Sequence, residues 1–431
     1  MRDKNAGLVI ARLSRASVLA ICFLLALPLL ANAQGKLAAG VGKADITPPP
    51  GTPLAGYGAR AGRPSTGVHD PTEARALIID NGVEKVAFVS VDHLGYDHTM
   101  VERVRSIASA ATGIKPDRIF VMSSHTHAGG GAYLEIFPIL AGRYDPKVRA
   151  FYEERAADAI VRANREMKPA RIAIGAGEAR GISRFRSKWP PDGPVDPEVG
   201  VIRVDSVATG KPIAVLMNFA AHPTVLGAKN FEFSADFVGY ARTALEKMLG
   251  GEAMAIFANG AQGTIAPHAL QGNTEWERAE NVGTILAAEV FKVTLMIKPQ
   301  EAVEIRLARS TFDIKPQPPP GFPAGVPFPP SYSTEVSAIS FDNRVAFVTI
   351  PGELSSILNF QVKERGRLLG FEKTFLLGLT NDALGYIITE DEYRHKTYES
   401  TISLFGPNFG SFITNEAFTA LEKVRPVERK P

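Results

Sequence analysis

Residues 117–131 read DRIFVMSSHTHAGGG, and the fold turns on how this stretch is parsed. Ile119, Phe120, Val121 and Met122 make a strand-length run of branched and aromatic residues that passes directly into His125. Upstream, ARALIID (74–80) and KVAFVSVD (85–92) have the same character, and a helical pattern covers 98–112. Strand, helix and strand in that order form the unit of an α/β sheet. His125 then stands at the carboxyl end of a strand, where open α/β sheets gather their sites.

Working outward, KVRAFYEERAADAIVRANREM (147–167) has apolar residues at helical spacing and a polar face of Arg and Glu. Strands are expected at 171–175, 200–205, 213–220, 253–258, 302–311, 335–341 and 345–350, and helices at 236–249, 275–296, 353–366 and 413–424. The expected fold class is α/β: a mixed β-sheet core covered by helices, in one domain spanning 34–431, with the site at strand C-terminal ends. KPQPPPGFPAGVPFPPSY (315–332) holds eight prolines and cannot join a central strand or helix. It reads as a stiff connection inside the domain, or as an apolar lip over a cleft carrying Phe322, Val326 and Phe328.

The first 33 residues stand apart. Arg2, Lys4, Arg12 and Arg15 precede the apolar run ASVLAICFLLALPLL (16–30), and Ala31-Asn32-Ala33 supplies small residues. This is the layout of a secretory signal cut after Ala33, which implies a secreted or periplasmic protein with no stable membrane span. The run is short for a span, which needs ~20 residues. Apolar sequence continues well past Cys22, which argues against a lipoprotein cysteine. Residues 34–431 carry 44 basic and 44 acidic side chains, so nothing electrostatic points to nucleic acid or anionic membrane. Cys22 is the only cysteine, so the exported chain has no disulfide and no thiolate metal site. Any metal would be held by nitrogen and oxygen.

If the chain stays extended through 125–127, His125 and His127 share a face. The Ala128–Gly131 run beside them lets backbone approach a ligand. Such a pair fits a metal site or a hydrogen-bonded loop. AVLMNFAAHPT (214–224) repeats the design, an apolar strand ending on His222. Glu353 follows Pro351-Gly352 and opens an expected helix, where a glutamate can simply complement the dipole. Tyr386, Tyr393 and Tyr398 crowd the charged stretch 377–400, though most tyrosines only bury a ring and hydrogen-bond the tip. Asp92-His93 could line the cleft floor, hydrogen-bond a loop or act in catalysis, Asp236 reads as a helix-start residue ahead of a ligand, and Asn381 and Asp382 could support Tyr386 or form a turn.

Several motifs agree with one family. GVGKADITPP (40–49), SSHTHAGGG (123–131), NFAAHPT (218–224), IPGELSS (350–356) and the stretch from GYIITEDEYRHKTYES to SLFGP (385–407) resemble, in order, the catalytic domain of the neutral/alkaline non-lysosomal ceramidases. These are zinc-dependent amidases that split N-acyl sphingosines. The resemblance implies one zinc per chain on His125, His222, Glu353 and Tyr386, with His127 beside the metal as the proton-handling group. It also implies that Tyr398 stabilises the oxyanion and that Arg184, in GISRFRS (181–187), borders the pocket, with Arg186 a nearby competitor.

The implied activity is hydrolysis of the amide of an N-acyl, lipid-like small molecule by a metal-activated water. That chemistry is coherent: zinc lowers the pKa of water toward ~7 and polarises a carbonyl. Positioned donors then stabilise the tetrahedral oxyanion. Two departures accompany the resemblance. NGAQGTIAPH (259–268) has Ala266 where these ceramidases carry a serine, leaving Thr264 and His268 as the polar groups nearby. The resemblance also covers only the N-terminal catalytic domain, without the family's C-terminal β-sandwich. The competing expectations are another amide or ester hydrolase on the same scaffold, and a non-catalytic periplasmic protein that binds metal or lipid.

Overall fold

The computed structural model describes residues 37–268, 270–323 and 325–426, so the signal expected at 1–33 lies outside the described residues. Ala38–Asp45 (β1) opens this part of the chain and becomes an interior strand of its largest sheet. The sequence reading marked no strand here, because Gly40 and Gly42 interrupt the apolar pattern. Those glycines have a packing reason. A Cβ on Gly40 would stand 2.1 Å from the Ala163 carbonyl oxygen, and one on Gly42 would stand 2.4 Å from that of Ala159. Only a bare backbone lets the helix Pro146–Arg165 lie so close on β1.

The large sheet continues with β2 (Glu73–Asp80), β3 (Lys85–Val91), β4 (Ile119–Ser123), β5 (Lys168–Glu178), β6 (Glu198–Ser206), β7 (Pro212–Phe219) and β8 (Met254–Asn259). Their spatial order is β8-β7-β6-β5-β1-β2-β3-β4. It is a mixed sheet, parallel at β3/β4 and at β7/β8 and antiparallel between. A second sheet of β9 (Ile305–Ile314), β10 (Tyr332–Phe341), β11 (Val345–Thr349) and β12 (Lys373–Leu377) packs against it. The helices α1 (His98–Thr112), α2 (Pro146–Arg165), α3 (Phe237–Met248), α4 (Glu275–Met296), α5 (Ser356–Leu368) and α6 (Phe409–Lys423) cover the outer faces.

Strand alternation builds the layers. In β2, Ala74, Ala76 and Ile78 pack under α1 and α2, while Leu77 and Ile79 face the second sheet together with Phe88, Phe120, Leu216, Ile339, Phe341 and Phe375. In β10 and β11, Val336, Ala338, Ala346 and Val348 turn the other way, toward Leu358 and Val362 of α5 and Ile413 and Ala417 of α6. The result is helix, sheet, sheet, helix. A buried two-pronged ion pair, Arg105 of α1 with Glu335 of β10 at 2.8 and 2.9 Å, ties the outer helix through to the second sheet.

The large sheet curls until its edges meet. Ser90 Oγ of β3 donates to the Phe257 carbonyl of β8 at 2.5 Å, and Arg75 of β2 donates to the Ala255 carbonyl at 2.8 Å. This curl brings together the carboxyl ends of β4 and β7, which sit six positions apart in the strand order. Among the described residues, no helix is long and apolar enough to cross a membrane.

Candidate active site

His125 and His222 enter the site from those two strand ends. The chain does not stay extended at His125, as the spacing argument required: its φ is +71°, in the left-handed region. The imidazoles of His125 and His127 nevertheless converge, with their Nε2 atoms 3.4 Å apart. His222, fully buried, closes the group, and the three histidines form a cluster able to hold a metal ion.

Glu353 arrives by a device the sequence hides. The residues Glu353–Leu354 and Tyr386–Ile387 form a two-residue parallel ladder in which Glu353 is paired directly with Tyr386. Carboxylate and phenol are therefore neighbours although far apart in sequence. Glu353 Oε2 lies 2.9 Å from His222 Nε2 and 3.2 Å from His125 Nε2. The Tyr386 ring is buried and stacks at 6.4 Å on that of His222. Residue 353 belongs to this ladder, and the helix expected from 353 begins at Ser356.

The donor set fits a divalent cation. His125 Nδ1 donates to the Leu94 carbonyl at 2.6 Å, and His222 Nδ1 donates to those of Gln262 and Ile265 at 2.8 and 3.0 Å. A carbonyl only accepts, so each Nδ1 carries a proton and each Nε2 is left turned toward the Glu353 carboxylate. Burial, then Arg186, pushes His222 down to about 3, so it is neutral near pH 7. The His222 Nε2 lone pair thus faces the Glu353 carboxylate. Separations of 2.9 and 3.2 Å between the carboxylate oxygen and the two Nε2 atoms suit donors sharing one zinc ion at ~2.0–2.1 Å. Backbone ties on Nδ1 are what orient metal-binding imidazoles.

His127 differs from the other two. Its Nδ1 is buried without a partner, and the ring of Tyr57 meets it edge-on at 4.7 Å. Burial, then His125 and His222, holds its pKa well below the ordinary imidazole value. The buried Arg60 fixes its backbone by donating to the carbonyls of His127 and Ala55. Tyr398 is 60% exposed, its ring 6.0 Å from that of Tyr386.

Arg184 is not in the pocket. It is exposed, in a two-stranded ribbon where it pairs with Ala266. Arg186 occupies the pocket instead: its Nη2 donates to the Tyr386 hydroxyl at 2.8 Å and to the Gly263 carbonyl at 3.0 Å, and its Nε lies 3.4 Å from the buried carboxylate of Glu399. The ribbon explains the difference, because Arg184 is held within it while Arg186 lies beyond its end. Tyr57 and Arg60 lie in no motif that the sequence reading used, and Glu399, inside the stretch 385–407, was given no role there.

The remaining candidates have structural partners. Asp92 is buried in a two-pronged pair with Arg242 at 2.8 and 2.7 Å, and His93 is buried among Tyr96, Tyr133 and Tyr152. Asp236 caps α3 as read. Asn381 bonds Val121 and Glu335, and Asp382 bonds His98 and Ala383, so their hydrogen bonds go elsewhere than Tyr386. Thr264 bonds Ser356 at the start of α5, and His268 is exposed. The proline-rich segment is tied to the rest of the fold: the Gln317 amide donates to the Leu404 carbonyl at 2.7 Å, and Phe322 and Phe328 pack on Phe137.

Comparison with known proteins follows the same line. A family model described as neutral/alkaline non-lysosomal ceramidase, N-terminal, matches residues 37–279. That range holds the three histidines and both arginines; Glu353, Tyr386 and Tyr398 lie beyond it. The chain is 26% identical over 255 residues to neutral ceramidase A of Dictyostelium discoideum, covering 53% of this chain and 35% of that one. It is 28% identical over 280 residues to the neutral ceramidase of Pseudomonas aeruginosa, covering 58% and 40%. The match thus spans well under half the length of these relatives. In three dimensions it resembles the crystal structure of the Pseudomonas aeruginosa enzyme with a TM-score of 0.78 at 20% identity, covering 92% of this chain and 76% of that one. A ceramidase complexed with C2 gives 0.79 at 19% identity, covering 92% and 77%. At such identity the likeness establishes a shared fold.

Proposed function

Because the chain belongs to the neutral/alkaline non-lysosomal ceramidase family, we propose that it is an exported, zinc-dependent hydrolase that cleaves the amide of an N-acyl, lipid-like substrate. The observation that carries this reading is the pair of Nε2 atoms, on His222 and His125, turned on the buried carboxylate of Glu353 at 2.9 and 3.2 Å. His125, His222, Glu353 and Tyr386 would hold one zinc ion, which supplies Lewis acidity to activate water and polarise the amide carbonyl.

The other residues act around that centre. His127, whose Nε2 faces the cluster, takes a proton from the attacking water and returns it to the amide nitrogen as the C–N bond breaks. An acid and an amine leave. The Tyr398 hydroxyl donates to the carbonyl oxygen as it gains charge. Arg186 takes the place the resemblance gave to Arg184: it fixes the Tyr386 hydroxyl and adds positive charge to the pocket wall. The fixed Nδ1 ties of His125 and His222, which His127 lacks, support dividing the histidines into two ligands and one proton carrier.

Elemental analysis of protein purified with zinc tests the site: about one zinc per chain is expected, and His222→Ala should lose it while remaining folded. Folded wild type that takes up no zinc would sink the assignment. Ala266 in place of a serine favours one second reading, an amide or ester hydrolase with a different substrate, and a panel containing both linkages separates the two.

A further inference from the structure

The two ligand histidines come from opposite parts of the large sheet, so something must fix the distance between strand ends that share no ladder. Ser124 and Ala221 immediately precede His125 and His222, and neither carbonyl has a strand partner at that point, because β4 and β7 have both ended. One side chain serves both. Asn259, the last residue of β8 and fully buried, donates from Nδ2 to the Ser124 carbonyl at 2.8 Å and to the Ala221 carbonyl at 3.1 Å. Its Oδ1 accepts from the Gly260 amide at 3.0 Å and from the Ala221 amide at 3.4 Å. Both protons and both lone pairs of the amide are used.

We propose that Asn259 is the positioning residue of the metal site: its side-chain amide stands in for the missing ladder and sets the peptide planes that lead into His125 and His222, and so the spacing of the two Nε2 atoms. The proposal rests on the reading of these histidines as zinc ligands. The physical reason is direct. The peptide plane before a residue fixes that residue's amide and Cα, so turning the 124–125 or 221–222 plane swings an imidazole that has its own tie at Nδ1. At His125 the next φ is +71°, a conformation that persists only where the surroundings hold it. No other amino acid supplies two donors and an acceptor at this reach: aspartate would set four lone pairs against two carbonyl oxygens, and glutamine is one carbon too long.

The test measures metal rather than turnover. Zinc affinity is determined by chelator competition for wild type, Asn259→Asp, Asn259→Ser and the control Asn81→Ala, and each is loaded with cobalt for its visible spectrum. Asn81 is another buried asparagine that bonds backbone, donating to Val303 at 2.9 Å, at a turn outside the metal site. The expected result is zinc binding weakened about 10- to 100-fold in Asn259→Asp, by less in Asn259→Ser, which keeps one donor, and by less than about twofold in Asn81→Ala. The cobalt bands should shift in the Asn259 variants only. Folded Asn259 variants with wild-type affinity and spectrum would overturn the proposal. So would failure of both Asn259 variants to fold beside a folded control, since that assigns Asn259 to the fold. Wild type that binds neither metal defeats the metal reading itself, an outcome distinct from variants that bind as wild type does.

Discussion

Substituting the two candidate arginines separates the geometry from the motif. Arg186→Ala removes a cationic donor 2.8 Å from the Tyr386 hydroxyl and leaves the Glu399 carboxylate, 1% exposed, with Ser187 as its remaining side-chain partner. A hydrogen bond to a charged group is worth about 1.5–3 kcal/mol. At about 1.4 kcal/mol per factor of ten, kcat/KM should fall about 10- to 150-fold if Tyr386 must be held for the reaction. Arg184→Ala alters an exposed side chain and should leave the rate within about twofold. Arg186→Lys keeps the charge but not the fork, so it should recover only part of the loss. The assay is hydrolysis of a short-chain N-acyl amide by zinc-loaded protein, with zinc content measured on the same samples. The reverse pattern, Arg184→Ala crippled and Arg186→Ala active, would refute the placement of the pocket arginine.

Other outcomes follow from the same structure. Tyr398→Phe should lower kcat about 10²- to 10³-fold while zinc content stays unchanged, and equal loss of both would mean that the roles of Tyr386 and Tyr398 are exchanged. Glu335→Gln removes the charge shared by Arg105 and Arg309, leaves the buried Arg105 only the partly exposed Glu102 as an ionic partner, and should cost about 3–5 kcal/mol in urea unfolding. Asp382 is pushed up to about 7 by burial, above an unfolded value near ~3.9. Its contribution to stability is therefore full below that unfolded value and lost as pH rises through about 7. Wild type should lose stability relative to Asp382→Asn by up to ~1.4 kcal/mol per pH unit across that window, read from urea midpoints. A constant difference between the two proteins would contradict it.

Much of this was legible in the sequence because the strands that carry the histidines are apolar and uninterrupted. The runs at 117–124 and 213–220 become β4 and β7, and His125 and His222 fall just past their ends. Helix boundaries came close where periodicity was strong, as at 98–112 and 275–296. What stayed hidden was non-local. A two-residue ladder joining Glu353 to Tyr386 has no pattern to read, and the curl of the large sheet is set by buried contacts such as Ser90 with Phe257. β1 was missed because its glycines answer to α2 rather than to strand propensity, and β12 because its five residues follow a charged turn. The division of His125 from His127 came from resemblance; spacing treated them alike, and the structure adds the difference in their Nδ1 partners.

On the proposed reading, a zinc ion on His125, His222, Glu353 and Tyr386 makes this chain an N-acyl amide hydrolase. The most direct test is mass spectrometry of zinc-loaded protein incubated with N-acyl sphingoid substrates graded by acyl length. Free acid and free amine are expected in equal amounts, with turnover abolished by chelation and restored by added zinc. Zinc-loaded, folded protein that cleaves none of these substrates, or that cleaves them equally well after its metal is removed, would contradict it.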